Sequence, residues 1–206
     1  LKEKPESVTI IGGGYIAVEF ASLLHNLGCQ TSLVVRSSLL RDFDHALGAH
    51  LTNGLKQQGI AVHTNTRPLK IEPSGEQTKV VATHRDTTIS IQSDSTVLLA
   101  TGRHPNTKDL GLENVGIQTN PDGSIPVNAN HATTARHIFA LGDVLGHSML
   151  TPVAIKAGRN VADREFGESS EAMSYECIPT AVFSIPPVGA VGFTEETAVE
   201  QFGAED

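Results

Sequence analysis

The sequence predicts an α/β protein that begins with a parallel sheet wrapped by helices. Three features predict it. An apolar run, Val8-Thr9-Ile10-Ile11, leads into Gly12-Gly13-Gly14; a helical stretch follows as far as Gly28; a second apolar run then covers residues 31–35. Two short β-branched runs separated by a glycine turn and a helix-length segment read as strand, turn, helix, strand. Parallel strands need a crossover of this kind.

The later elements follow in order. Within residues 41–59, Leu47, Leu51 and Leu55 recur every fourth residue, which predicts a helix ended by Gly59. Ile60-Ala61-Val62 predicts a buried strand. Residues 69–91 change to short alternating runs, clearest at 79–83 and 88–91, with turn residues Pro73-Ser74-Gly75 between strands; this predicts an antiparallel meander. Residues 96–100 predict another apolar strand, ended by Thr101-Gly102-Arg103. Asn120-Pro121-Asp122-Gly123 marks a turn. Ile138-Phe139-Ala140-Leu141 predicts a short buried strand running into Gly142-Asp143. Thr151 is expected to cap a helix with Pro152 at its first position, continuing to about Phe166. Residues 167–176 read as a polar linker, 181–183 and 188–193 as β runs, and Thr194 as an N-cap.

Composition narrows the function. The 206 residues carry a formal net charge of −8, which argues against a nucleic-acid surface. No apolar run approaches the length of a membrane span. Cys29 and Cys177 belong to no paired motif; each reads as a buried, inert thiol, which fits a reducing, cytoplasmic compartment. His45 and His50 are five apart, off a shared helical face, and no cluster has metal-ligand spacing, so no metal is expected. The chain opens at Leu1 without an initiator Met and stops at Asp206 just after a helical segment begins, which reads as an internal piece of a longer protein.

The chemistry-bearing positions sit at strand ends. In Gly12-x-Gly14-x-x-Ala17 the first glycine permits a tight turn, the second lets a pyrophosphate approach the backbone, and Ala17 keeps helix and strand close. This is the pattern of a Rossmann-like dinucleotide-binding unit. An NAD site usually has Asp or Glu at the end of the second strand, accepting from the ribose 2′-hydroxyl. Here Arg36 stands there, followed by Ser37, Ser38 and Arg41. Guanidinium groups bind phosphate bidentately, each charge-assisted bond being worth about 1.5–3 kcal/mol, so this corner predicts NADP(H). Asp143, at the end of an expected strand, suits ribose or ribityl hydroxyls or a plain turn equally well. The helix beginning at Thr151-Pro152 offers a positive dipole end to a cofactor ring.

Five ordered segments make the reading specific: Ile11-Gly12-Gly13-Gly14-Tyr15-Ile16-Ala17-Val18-Glu19-Phe20, Ala100-Thr101-Gly102-Arg103, Ile138-Phe139-Ala140-Leu141-Gly142-Asp143, Leu150-Thr151-Pro152-Val153-Ala154-Ile155 and Ile178-Pro179-Thr180-Ala181-Val182-Phe183-Ser184. Over nearly its whole length the chain resembles the flavoprotein disulfide reductases, the glutathione reductases most closely. The resemblance implies a three-layer NADP(H) domain with its meander at 1–103, the C-terminal part of an FAD domain at 104–176 and the start of an α+β dimerisation domain at 177–206. It implies that Gly12, Gly13, Gly14, Ile16 and Ala17 form the NADPH pyrophosphate turn, that Tyr15 is a movable lid over the nicotinamide pocket, and that Glu19 is the acid that pairs, near the flavin, with a lysine outside these 206 residues. Arg36 and Arg41 match the 2′-phosphate pair, in a loop one residue shorter than the family's. Gly102 and Arg103 would lie by the nicotinamide half, Gly142 and Asp143 by the FAD ribityl and pyrophosphate, and Thr151 at the flavin ring. Ile155 and Arg159 match positions that touch glutathione disulfide. The segment 181–187 is similar to trypanothione reductases, and Leu-Thr-Pro-Val-Ala-Ile also occurs in thioredoxin reductases, so trypanothione, thioredoxin and mercuric reductases stay open, as does a free-standing NADP-binding module. The family's redox Cys-x-x-x-x-Cys pair and acid–base His are expected before Leu1 and after Asp206, in a protein that is typically a homodimer.

Overall fold

The computed structural model describes residues 2–93, 96–169 and 171–204. In chain order the elements are β1 (Ser7–Ile11), α1 (Tyr15–Asn26), β2 (Gln30–Val34), α2 (His45–Gln58), β3 (Ala61–His63), β4 (Thr66–Ser74), β5 (Gln77–His84), β6 (Thr87–Ser93), β7 (Thr96–Leu99), α3 (Thr151–Phe166), β8 (Thr180–Val182), β9 (Val188–Ala190) and α4 (Glu195–Phe202). The chain divides into two compact units, Leu1–Gly102 with Cys177–Asp206, and Arg103–Glu176.

The first unit is built on a parallel sheet of order β3-β2-β1-β7. Because side chains alternate along a strand, β1 sends Val8 and Ile10 to one face and Ile11 to the other. Val8 and Ile10 pack with Ala17, Val18 and Ala21 of α1 and with Leu51 and Leu55 of α2. Ile11 packs with Val34, Val80 and Ile91, which brings the β4-β5-β6 meander onto the opposite face. Burial on both faces is why β1 reads as a continuous apolar run. Helices, sheet and meander are the three layers that the sequence predicts.

Local chemistry sets the boundaries. The Asp44 side chain caps α2, accepting from the N–H of Ala46 at 2.9 Å and of Leu47 at 3.3 Å. In the meander, Pro73 and Ser74 lie inside β4, paired with Thr78 and Gln77; the turn itself is Gly75-Glu76, shorter than the Pro73-Ser74-Gly75 turn expected. Arg85 and Asp86 both adopt left-handed backbone in the next hairpin turn, as a two-residue loop of right-twisted strands requires. Lys70 and Lys79 flank Glu72 at 2.5 and 2.8 Å and hold its carboxyl down to about 2.

Residues 177–204, read from sequence as the start of a separate domain, pack in this structure with residues 2–102. Val182 and Val188 enter the core beneath α1 and α2. The backbone N–H of Phe183 donates to Glu19 Oε1 at 2.9 Å, that of Ile185 donates to Ser22 Oγ at 3.3 Å, and Gln58 Nε2 donates to the Ile185 carbonyl at 2.7 Å. Thr194 caps α4 as expected, in a reciprocal box with Thr197. Cys29 is buried, whereas Cys177 is exposed, which corrects the expectation of two buried thiols.

The second unit is mostly irregular. It holds short 3-10 turns at Leu112–Val115 and Gly142–Leu145, α3, and a small core around Ile117, Ile125, Ala140 and Leu145. The strand expected at residues 138–141 is absent. Phe139 makes a single bridge to Ala132, and the neighbouring backbone groups bond across a tight loop, Ala140 N to His131 O and Thr133 N to Ile138 O, both at 3.0 Å. The run is apolar because its side chains are partly buried, but no adjacent strand exists among the described residues. Nor does Thr151 cap α3: Leu150 is the N-cap, Thr151 is already helical, and no side chain caps this end. Among the described residues no helix is long and apolar enough to cross a membrane.

Candidate functional site

In the sheet order β3-β2-β1-β7 the chain leaves β1 toward β2 on one side and returns as β7 on the other. Crevices at the carboxyl ends of strands open at such a switch point. Here that edge is formed by Gly12 to Gly14, by Arg36 after β2, and by residues 100–102 after β7. Gly12 has a φ of +149°, its N–H donates to Val34 O at 3.0 Å, and a Cβ on it would lie 2.2 Å from the Ala100 carbonyl oxygen and 3.3 Å from Ala17 Cβ. Only glycine fits, and Ala17, fully buried, leaves α1 close to the strand. A Cβ on Gly13 would meet Val35 Cγ1 at 2.8 Å and Ser38 O at 2.9 Å.

Gly14 is different. A Cβ there would meet nothing within 4 Å. It is the N-cap of α1, no side chain caps that end, and the first turn contains no acid. The positive end of the helix dipole therefore faces open space lined by backbone, a cradle for an anion. Tyr15 at this mouth is 37% exposed and Ile16 is half-buried. The two arginines are not equivalent. Arg36 is exposed and forms no ion pair among the described residues, whereas Arg41 Nε lies 3.5 Å from Asp42 Oδ1. Ser37 and Ser38 border an open depression of about 490 Å³, shared with His45, Thr52, Asn53 and Asn65. Gly102 is exposed at the end of this unit; Arg103 is exposed at the start of the other. Glu19 is engaged with Phe183 N–H.

In the second unit, Gly142 packs against the first turn of α3. With a φ of +73°, it would place a Cβ 3.2 Å from Ala154 Cβ. Asp143 is exposed in the adjoining 3-10 turn. The α3 N-terminus again has no side-chain cap and no acid in its first turn. Ile155 and Arg159, one turn apart, are both exposed, and Arg159 forms no ion pair among the described residues. These residues suit a dinucleotide's pyrophosphate and 2′-phosphate in the first unit and the polar middle of a flavin nucleotide in the second.

Sequence reasoning missed two features. One is the pairing of Asp44 and His45 with Glu195 and Glu196, 151 residues away. The Thr194 cap was legible and the Asp44 cap was not named, and nothing in the sequence says that the two helix starts face each other. The other is a cluster in the second unit of the buried His131, the half-buried Tyr175 and the exposed His147. His131 Nε2 lies 2.6 Å from Tyr175 Oη, and the His147 ring stands edge-on to Tyr175 at 4.9 Å. Burial, then the charges of Arg164 and His147, pushes His131 below its ordinary value.

Residues 1–158 match the family model of the pyridine nucleotide-disulphide oxidoreductases, and the chain belongs to that family. FAD and NADPH are the cofactors of the glutathione reductases within it. The chain is 39% identical over its full length to the chloroplastic/mitochondrial glutathione reductase of Pisum sativum, covering 37% of that protein. It is 39% identical over 98% of its length to trypanothione reductase of Trypanosoma congolense, covering 41%. Among solved structures it is similar to the HOCl-induced flavoprotein disulfide reductase RclA from Escherichia coli, with a TM-score of 0.86, 34% identity, and coverage of 97% of this chain and 45% of that one. The chain thus spans about two-fifths of the length of these curated relatives.

Proposed function

We propose that this chain supplies the NADPH-binding part, and a portion of the FAD-binding part, of a reductase that converts glutathione disulfide to glutathione. The observation that carries the proposal is Arg36: an exposed guanidinium without an ion pair among the described residues, at the end of β2, beside a glycine turn open to an anion. Residues 1–103 are proposed as the NADP(H) domain, 104–176 as part of the FAD domain and 177–206 as the start of the interface through which the full-length protein dimerises. When bound, NADPH supplies a hydride and FAD passes the electron pair on toward a disulfide.

The chain's own residues bind and orient. Gly12, Gly13, Gly14, Ile16 and Ala17 hold the pyrophosphate with backbone N–H groups and the α1 dipole. Arg36 takes the 2′-phosphate, with Arg41 as a second cation once it releases Asp42. Tyr15 covers the nicotinamide, near Gly102 and Arg103, and Glu19 fixes the segment at Phe183 beside it. Gly142, Asp143 and the α3 end at Thr151 hold the flavin nucleotide. Ile155 and Arg159 present a contact surface and a cation to a peptide carboxylate of glutathione disulfide. Two unpaired thiols fit a reducing location such as the cytoplasm.

Changing Arg36 to Glu is expected to weaken NADPH about 10- to 100-fold while leaving NADH nearly unchanged. Calorimetric titration of both nucleotides checks it, and equal losses remove the 2′-phosphate role. A trypanothione reductase is the second reading, favoured by the equal identity to that relative. Arg159 separates the two. In the full-length enzyme, Arg159→Ala is expected to raise KM for glutathione disulfide about tenfold with flavin reduction intact. An improved KM for a cationic disulfide with glutathione disulfide unaffected would favour the second reading.

A further inference from the structure

The loop that carries Arg36 and Arg41 is held at both ends. At one end Leu40 N–H donates to the Gly13 carbonyl at 2.7 Å, and Phe43 N–H donates to Leu40 O at 2.8 Å. Leu39 and Leu40 are buried beneath the loop, and a Cβ on Gly48 would lie 2.6 Å from the Leu39 carbonyl oxygen, so the loop sits directly on α2. At the other end the N-termini of α2 and α4 exchange carboxylates. Asp44 Oδ1 caps its own helix, while Asp44 Oδ2 accepts from the N–H of Glu195 at 3.1 Å. In return, Glu196 Oε1 accepts from the N–H of His45 at 3.1 Å and lies 2.9 Å from His45 Nδ1. Each acid serves a first-turn donor that its partner helix cannot satisfy internally. The Glu195 N–H, ahead of the other contacts, holds the Asp44 carboxyl below its ordinary value.

From this we infer that Asp44 and Glu196 form a clasp that positions the 36–44 loop, so that residues 194–196 set the preference for the phosphorylated coenzyme without touching it. The inference rests on the proposed NADPH reading. The path is physically continuous: Gly turn, Leu40, Phe43, Asp44, then α4. Loosening α4 frees the loop end that aims the arginines. NADH makes no contact with them and gains little from their placement. Coupling between two sites is reciprocal, so occupation of the arginine corner must in turn steady the α4 N-terminus.

The test uses the full-length protein in four forms: unaltered, Arg36→Glu, Glu196→Ala and Glu196→Gln. Glu196→Ala leaves the Asp44 cap of α2 in place and therefore spares the fold; Glu196→Gln keeps an acceptor for the His45 N–H. Calorimetry with NADPH and NADH is expected to show NADPH weakened about three- to tenfold in Glu196→Ala, NADH unchanged, and Glu196→Gln restored to within twofold. Amide exchange at His45 and Glu195 in the unaltered protein is expected to slow with NADPH and not with NADH. A selective loss in Arg36→Glu without any in Glu196→Ala, or exchange at Glu195 indifferent to NADPH, overturns the clasp and leaves the coenzyme reading standing. No selectivity in Arg36→Glu overturns the coenzyme reading itself.

Discussion

The two units solve the same problem differently. In the unit of residues 2–102 and 177–204, backbone groups are paired in sheets, and side chains cap the N-termini of α2 and α4, though not that of α1. Among its described residues only two buried side-chain atoms lack a partner, the hydroxyls of Thr9 and Ser93. Among its described residues the shorter unit of residues 103–176 has one α-helix, two 3-10 turns and a single isolated bridge. Those residues nevertheless leave three buried side-chain atoms without a partner, and all three are nitrogens: His131 Nδ1, Asn160 Nδ2 and Arg164 Nη1. Arg164 Nη2 donates to the Asn130 carbonyl, so the three gather about α3 and the 130–131 loop. A hydroxyl left unpaired costs less than a buried imidazole or guanidinium nitrogen. The difference teaches that regular structure here does more than shape the sheet: it absorbs polar groups that an irregular unit must satisfy one side chain at a time.

Mutations at the turn glycines probe the ordered side hardest. Gly12→Ala is expected to destabilise the first unit by about 3–5 kcal/mol, through strained backbone and overlap with the Ala100 carbonyl. Gly14→Ala, with open space at its Cβ, is expected to cost no more than about 1 kcal/mol as a poorer N-cap. Urea unfolding of the two variants measures the contrast. Similar midpoints would mean that the close approach of strand ends at Gly12 is wrong.

The smaller effect belongs to the irregular side. Tyr175→Phe removes the hydrogen-bond partner that the His131 ring has among the described residues and is expected to cost about 1–2 kcal/mol. The pH dependence has a definite sign. His131 has a folded value below its ordinary 6.5, so the unfolded chain binds the proton first. Stability from the neutral ring is present above about pH 6.5 and is lost as pH falls toward the folded value. An NMR titration of the His131 ring checks this. A midpoint at or above 6.5 would show the ring to be solvated and erase the contrast between the units.

Legibility in the sequence followed the same division. The β1-α1-β2 unit was readable because apolar period, glycine turn and helix length agree, and Thr194 was readable because a hydroxyl three residues before Thr197 is a local signal. The place of Arg36 just after β2 was readable from the same pattern. The expected strand at 138–141 failed because side-chain burial was read as strand pairing, while the backbone of Ala140 bonds instead to His131. Thr151 failed by one residue because a threonine beside a proline fits both the cap and the first turn. The Asp44–Glu195 and Glu19–Phe183 contacts were invisible because they join residues more than 150 positions apart. Local periodicity carries no information about such meetings.

One consequence reaches back to synthesis. The first unit is discontinuous in sequence: the side chains of Glu19, Ser22, Gln58 and Asp44 each have a partner in residues 183–195. At about 5–20 residues per second, roughly 10–30 seconds separate the emergence of these acceptors and donors from that of their mates. During that interval the nascent chain carries a parallel-sheet unit whose α1 and α2 flank lacks its final cover, and the later-made stretch 183–195 completes it.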